Sequence, residues 1–221
     1  MSPDVPLLHA AADLSRGNDA LVRAVEVALA NPPRTTEEVG FYITQYNTDA
    51  ENVFRFFVSQ LMQGGYTMAA EDKYQHEIFE QWEEQIALPE ALKRLLPEVF
   101  SEDDDWFDED NYEDYLEDRR AEVHAGYVEA VRAIEAAFAE TGTTLVTLEI
   151  AGGDTLVFMA VPPAVAERWA GVVLGRTHDG KPLGVRPPDW DTFWHHLGYA
   201  TGFTDGPPPP GSTLPVAWRE G

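Results

Sequence analysis

Residues 143–161, TTLVTLEIAGGDTLVFMAV, contain the strongest β-strand signal in the chain and decide its fold class. Two runs rich in β-branched residues flank Gly152-Gly153, a pattern typical of antiparallel strands joined by a tight turn. The second run, TLVFMAV, is apolar on both faces, so each face requires a cover. The helix expected before the hairpin and the segment PPAVAERWAGVVL after it are the natural covers, which predicts an α+β fold.

The part of the chain that precedes the hairpin is predicted to be mainly helical. Apolar residues recur at helical spacing in four stretches, of which the last is expected to be the longest helix: residues 19–30, 53–62, 69–85 and 112–140. The predicted architecture is a helical N-terminal two-thirds with a small, mostly antiparallel sheet. That sheet contains the C-terminal β-hairpin and is covered by helices.

Several helix boundaries also have sequence signals. Thr35 with Glu38, and Thr48 with Glu51, have the Thr-x-x-Glu spacing of a capping box at a helix start. Asp189 is expected to cap a last aromatic helix, WDTFWHHLGYATGF. Residues 41–46, FYITQY, sit in a helical context, but their β-branched and aromatic content would also suit a short strand.

These signals divide the chain into four segments. Residues 1–97 form a mainly helical region, and residues 98–118 form an acidic, aromatic linker or docking segment. Residues 119–205 contain the long helix, the hairpin and its covering helices, and residues 206–221 form a tail that begins with GPPPPG. The four segments are expected to belong to one compact domain.

One resemblance rests on the hairpin and its flanks. An acidic linker is followed by an amphipathic helix, by the hairpin sequence GGDTLVFMAVP and by a helix that begins AVAERW. This order, over about residues 98–175, is similar to that of an uncharacterised family of bacterial proteins. The resemblance implies a bacterial origin, and the family offers no activity to transfer.

Composition restricts the class of protein. The chain has 221 residues, 44% of them hydrophobic, which is ample for a packed core. Its formal net charge of −24 opposes binding to nucleic acid or to anionic membranes, because both would repel it. The absence of cysteine excludes disulfides, thiolate zinc sites and a cysteine nucleophile, and it fits a reducing compartment. The N-terminus has the pattern of neither a signal peptide nor a membrane anchor, so the expected location is cytoplasmic.

Negative charge is concentrated in the middle of the chain. Residues 71–118 contain 19 acidic residues and three basic ones, a net charge of −16. The densest part, SEDDDWFDEDNYEDYLED at residues 101–118, places large aromatic residues among the carboxylates. Aromatic residues are enriched at binding hot spots, and carboxylates attract a basic partner. The candidate partner-binding residues are Asp103, Asp104, Asp105, Trp106, Phe107, Asp108, Glu109, Asp110, Tyr112 and Tyr115.

Candidate metal ligands are few. His195 and His196 lie near Asp189 and Asp191, but adjacent helical residues point about 100° apart, which disfavours a shared ion. His76 shares a helix face with acidic residues, a pattern also typical of a solvated surface. The acidic run lacks the glycine and the ligand spacing of an EF-hand loop. No cofactor motif is present, and the sequence favours a binding protein over an enzyme.

The sequence therefore predicts an acidic protein-binding module, in particular an immunity protein or inhibitor that occludes a basic toxin or nucleic-acid-binding protein. One alternative is a metal-dependent hydrolase that uses His195, His196 or His76 with nearby carboxylates. Another is a globular protein whose acidic run is only a solvated linker. The sequence leaves the oligomeric state open.

Overall fold

The computed structural model of the chain describes residues 4–71, 77–91, 109–150, 155–190, 193 and 217–220. The described helices are α1 (Asp4–Leu14), α2 (Asp19–Ala30), α3 (Thr36–Val39), α4 (Asp49–Gln63), α5 (Glu77–Glu83), α6 (Glu109–Glu140) and α7 (Pro163–Trp169). The strands are β1 (Met68–Glu71), β2 (Thr144–Glu149), β3 (Thr155–Val161), β4 (Val172–Arg176), β5 (Pro182–Arg186) and β6 (Arg219–Glu220). These elements confirm the predicted α+β class.

The six strands form one sheet in the order β1-β3-β2-β5-β4-β6. β2 and β3 pair antiparallel, with Thr144 opposite Val161 and Thr147 opposite Phe158, which confirms the predicted hairpin. β5 pairs antiparallel with both β2 and β4, and the short β6 pairs parallel with β4. The turn residues 151–154 lie outside the described part of the chain.

The chain divides into two compact units. The first unit contains residues 1–69, 144–188 and 215–221, and the second contains residues 70–143 and 189–214. The four segments predicted from the sequence, and the single domain expected for them, stay a prediction. The first unit is built from three separate stretches of chain, so the second unit interrupts it twice.

The core of the first unit lies between helices and one face of the sheet. α1, α2 and α4 contribute Leu7, Leu14, Val25, Phe54 and Phe57, all almost fully buried. These side chains belong to the same apolar cluster as the strand residues Val146, Met159, Leu174 and Val185. α7 adds Trp169, whose indole nitrogen donates a 2.8 Å hydrogen bond to the Asp13 carboxylate on α1.

Two of the predicted helix starts are present in different forms. At α3, the Thr35 hydroxyl accepts from the Glu38 amide and the Glu38 carboxylate accepts from the Thr35 amide, a complete capping box. At α4, the Thr48 hydroxyl accepts from the Glu51 amide at 3.0 Å. The Glu51 carboxylate, however, contacts Asn47 and Arg55 rather than completing a second box.

The core of the second unit is aromatic. Trp82 on α5 packs against Phe138 on α6, with ring centroids 6.4 Å apart, and against Trp190 at 6.1 Å. Phe79 and Phe193 complete the cluster, at 5.5 Å and 5.7 Å from the Trp82 ring. α6 has 32 residues and is the long helix expected from the sequence. It ends where Gly142 adopts a φ of +78° and its amide donates to the Ala139 carbonyl.

Three local predictions differ from the structure. Ala69, placed by periodicity at the start of a helix, lies in β1, and the helix of this region begins at Glu77. Residues 41–46 form neither helix nor strand. The covering segment after the hairpin is helical only over Pro163–Trp169, and its last part forms β4.

Candidate functional site

The negative charge of the chain belongs mainly to the second unit. The first unit contains 13 acidic and nine basic residues, a net charge of −4. The second unit contains 26 acidic and six basic residues, a net charge of −20 in 100 residues. The two units are thus electrostatically different, and attraction of a cationic partner by this chain would arise from the second unit.

The predicted binding residues begin outside the described part of the chain and continue into α6. Asp103, Asp104, Asp105, Trp106, Phe107 and Asp108 lie outside the described residues. Glu109, Asp110, Tyr112 and Tyr115 fall in the first two turns of α6, although only their backbone is described.

Two hydrogen bonds fix the later part of α6 to the start of the C-terminal helical segment. The Tyr127 hydroxyl donates to the Trp190 carbonyl oxygen at 2.6 Å. The Trp190 indole nitrogen donates to the Glu135 carboxylate at 2.8 Å. Tyr127 and Trp190 are almost fully buried, so α6 is held both by packing and by directional bonds. The Phe193 amide donates to the Asp189 carbonyl, in agreement with a helix start at Asp189.

Acidic side chains on the described part of the second unit lie at the surface. Seven glutamates are exposed there: Glu80, Glu83, Glu84, Glu90, Glu129, Glu135 and Glu140. Among the same described residues of the second unit, one basic side chain, that of Arg132, is exposed. This excess of exposed carboxylates over basic groups gives the described surface a negative potential.

In the first unit, six of the nine basic residues form ion pairs with acidic ones. Arg168 contacts Asp13 at 2.7 Å, and Arg186 contacts Glu149 at 3.0 Å. Further pairs join Arg34 to Asp49, Arg55 to Glu51, Arg176 to Glu220 and Lys181 to Asp179. Local neutralisation of this kind leaves the first unit with little net field.

An exposed aromatic loop in the first unit was not predicted as a site. Tyr42 and Tyr46 are 77% and 65% exposed, and the Tyr46 ring lies 6.2 Å from the ring of His178. The sequence signal is the run FYITQY, whose pattern predicts only a helix or a short strand. Two exposed tyrosines in one loop are a second candidate contact surface.

Buried charges hold this loop in place. Arg55 and Glu51 form a 3.0 Å ion pair whose side chains are only 10% and 4% exposed. Arg55 also donates to the Tyr42 carbonyl at 3.0 Å, and the Asn47 amide group donates to Glu51 at 2.7 Å. Asn47 in turn accepts from the Thr44 amide at 2.8 Å. The loop backbone is therefore bonded to side chains rather than to a neighbouring strand.

Two carboxyl groups in the first unit have shifted pKa values. The Thr177 hydroxyl donates to Asp179, and this bond, with Lys181 nearby, lowers the pKa of Asp179 to about 2. Backbone amides of Arg34 and Thr35 donate to Glu38 and lower the pKa of its carboxyl group. Hydrogen bonds that favour the charged form explain both shifts.

The candidate metal ligands predicted from the sequence stay a prediction. His195, His196 and His76 all lie outside the described residues. Within the part of the chain that is described, no group of three or more histidine, aspartate or glutamate side chains could hold a metal ion. No helix among those described is both long enough and apolar enough to cross a membrane.

No protein-family model, no curated protein and no solved structure matches this chain. The resemblance to a bacterial family that was based on the hairpin and its flanks stays a prediction.

Proposed function

We propose that this chain is a protein-binding module that captures a basic protein through its acidic second unit. The observation that carries the proposal is the separation of charge, with −20 in the second unit and −4 in the first. A surface that only keeps a protein in solution needs no such separation of charge. A surface that attracts an oppositely charged partner concentrates charge of one sign. Occlusion of a toxin or of a nucleic-acid-binding protein, as an immunity protein or inhibitor, is the action that fits this charge.

The contact surface in this proposal combines carboxylates with aromatic side chains. Asp103, Asp104, Asp105 and Asp108 would take the place of phosphate groups opposite arginine and lysine side chains. Trp106 and Phe107, with Tyr112 and Tyr115 at the start of α6, would supply the apolar contact area. The role of the carboxylates is to raise the association rate, and the role of the rings is to slow dissociation.

A charge-matched pair of variants tests the proposal. In the first variant Asp103, Asp104, Asp105 and Asp108 are replaced by Asn. In the second, four exposed acidic residues of the first unit are replaced by their amides: Asp19→Asn, Glu26→Gln, Glu37→Gln and Glu167→Gln. Each variant loses four negative charges, so the two differ in the location of the charge and not in its amount.

Capture from lysate of the source cells at low salt, with stepped salt elution and mass spectrometry, identifies the basic proteins retained by the parent chain. Binding of each purified candidate is then measured by calorimetry. We expect the first variant to weaken binding at least about tenfold, and the second to leave it nearly unchanged. Equal effects of the two variants, or recovery of only a salt-sensitive mixture, would contradict the proposal and favour a solvated linker.

A further inference from the structure

We propose that Asp179 is a site of spontaneous isoaspartate formation, and that the turn between β4 and β5 suppresses this modification while the chain is folded. Asp179 is followed by Gly180, and both residues are exposed. They belong to the first unit, so their chemistry is independent of the proposed capture of a basic partner by the second unit.

The modification needs no reagent other than water. The Gly180 amide nitrogen attacks Cγ of Asp179, the new bond closes a succinimide ring, and the carboxyl OH leaves with the amide proton as water. Addition of water to the main-chain carbonyl carbon of Asp179 then breaks its bond to the Gly180 nitrogen, and the chain continues through Cβ and Cγ as isoaspartate. Addition of water to Cγ instead restores aspartate. Glycine favours ring closure, because it has no Cβ to hinder its nitrogen.

The hydrogen bonds of the turn define its backbone conformation. The Thr177 amide donates to the Lys181 carbonyl at 3.0 Å, and the Gly180 amide donates to the Thr177 carbonyl at 3.0 Å. Neither central residue, His178 or Asp179, has a positive φ. A hydrogen-bonded turn of this kind is type I, and Gly180, with a φ of +84°, adds the bulge of a three-residue hairpin loop.

This backbone conformation opposes ring closure in two ways. Asp179 occupies the third position of the type I turn, where a ψ of about 0° eclipses the Gly180 nitrogen with the Asp179 amide nitrogen. Ring closure instead requires the Gly180 nitrogen to be nearly eclipsed with Cβ of Asp179. The Gly180 amide must also lose its proton, which the hydrogen bond to the Thr177 carbonyl holds in place.

The Asp179 side chain is held in its unreactive form. The Thr177 hydroxyl donates to one carboxylate oxygen, and the Lys181 ammonium lies 3.2 Å from the other. These contacts lower the pKa of Asp179 to about 2. Ring closure expels the OH of the protonated acid, and this form is more than about tenfold rarer than in a carboxyl group with its usual pKa. The Thr177 hydroxyl also accepts from the Lys181 amide at 2.9 Å, so it fixes both the carboxylate and the turn.

Opening of the hairpin removes these restraints together. Exposed turns open locally more often than buried strands do. Isoaspartate adds one atom to the main chain, which a three-residue loop with a type I turn does not accommodate. Conversion therefore marks chains in which the hairpin has opened. It also alters the position of His178, whose ring lies 6.2 Å from that of Tyr46.

Incubation in water enriched in heavy oxygen tests the proposal, because each opening of a succinimide ring adds one labelled oxygen to the chain. The folded chain and the chain unfolded in urea are incubated at the same neutral pH and temperature, and the label is located by peptide mass spectrometry. A second Asp-Gly pair in the sequence, Asp205-Gly206, is the reference for conversion in the unfolded chain.

We expect Asp179 to gain label in urea at a rate similar to that of Asp205, and at least about tenfold more slowly in the folded chain. Equal rates for Asp179 in the folded and unfolded chains would overturn the proposal, because the turn would then give no protection. Label at Asp205 without label at Asp179 in urea would also overturn it, because Asp179 would then not be a site of modification.

Two variants test the role of the Thr177 hydroxyl. Thr177→Val removes the hydroxyl and keeps the size of the side chain, whereas Thr177→Ser keeps the hydroxyl. In folded chains with the parental circular dichroism spectrum, we expect Thr177→Val to gain label at Asp179 at least about threefold faster than the parent, and Thr177→Ser to stay within about twofold of it. The same rate of labelling in both variants would overturn the role of the hydroxyl.

Discussion

The Tyr127 hydroxyl group donates a 2.6 Å hydrogen bond to the carbonyl oxygen of Trp190, 63 residues further along the chain. Tyr127 is 1% exposed and Trp190 is 2% exposed, so water competes little with this bond. It joins the long helix α6 to the helical segment that starts after Asp189. The second unit is therefore stabilised by a hydrogen bond between two aromatic residues as well as by the packing of aromatic rings.

Replacement of Tyr127 by Phe removes this donor and keeps the ring. We expect the free energy of unfolding to fall by about 1 to 2 kcal/mol, because a buried carbonyl loses a hydrogen bond. Urea denaturation followed by tryptophan fluorescence measures the change. Tyr42→Phe is the matched control, since the Tyr42 ring is 77% exposed, and equal stability of the two variants would disprove the contribution of the bond.

Replacement of Arg55 by Met leaves the Glu51 carboxylate buried without its 3.0 Å partner. We expect a loss of about 3 kcal/mol, the usual cost of an uncompensated buried charge. Adding Glu51→Gln to the same chain should restore much of that stability, as measured by thermal and urea unfolding. In contrast, Arg34→Ala breaks an exposed pair with Asp49 and should change stability by less than about 0.5 kcal/mol. A similar loss of stability in the Arg55→Met and Arg34→Ala variants would contradict this interpretation.

Replacement of Thr177 by Val removes the hydroxyl that lowers the pKa of Asp179 to about 2. We expect the midpoint of the Asp179 carboxyl titration, followed by carbon-detected NMR, to move up toward its usual value. A folded-state pKa below the unfolded value stabilises the fold at pH values above the unfolded pKa. This contribution is lost as pH falls from about 4 to about 2, so the difference in stability between the parent and the variant should be larger above pH 4 than below pH 2. An unchanged titration midpoint would exclude the hydroxyl as the cause.

Replacement of Gly40 by Ala tests how closely α4 approaches the loop that precedes it. Gly40 has a φ of +81°, and an added Cβ would lie 2.1 Å from Oγ of Ser59. Gly17 has nearly the same φ, +80°, but open space around it. We expect Gly17→Ala to cost about 1 kcal/mol from backbone strain, and Gly40→Ala to cost about 2 kcal/mol more from the steric overlap. Equal unfolding midpoints for the two variants would show that the overlap is relieved without cost.

The sequence predicted the elements whose patterns are local and repeated. Tyr127, Val131, Ile134 and Phe138 recur at helical spacing, and all four are buried on α6. The hairpin was also predicted, because β-branched residues flank a glycine turn. α1 is a helix that the sequence analysis does not predict, although Leu7, Ala11 and Leu14 have helical spacing and are buried.

Elements that depend on distant partners were missed. β1 has the sequence MAAE, which favours a helix, but it lies beside β3 in the sheet, and sheet pairing outweighs local preference. β5 begins at Pro182 and contains Gly184, residues that usually weaken a strand signal. At residues 41–46 the reverse occurs, since Arg55 and Asn47 bond to the backbone and no strand forms.

The sequence predicted the candidate site only as a stretch rich in acidic and aromatic residues. The excess of acidic residues in the middle of the chain is visible in the sequence, whereas its assignment to one of two compact units requires the structure. The exposed Tyr46 ring and its neighbour His178 are 132 positions apart, so no local pattern could join them. The net charge of a segment can be counted from the sequence, whereas the residues that share a surface are known only from the structure.

The interruption of the first unit by residues 70–143 has a consequence for synthesis. Helices α1, α2 and α4 leave the ribosome before β2 to β5, which complete their apolar cluster. At about 5 to 20 residues per second, translation of the intervening residues takes roughly 4 to 15 s. During that time Phe54, Phe57 and Leu61 lack the cover of β2 to β5, so the apolar faces of the nascent helices stay exposed.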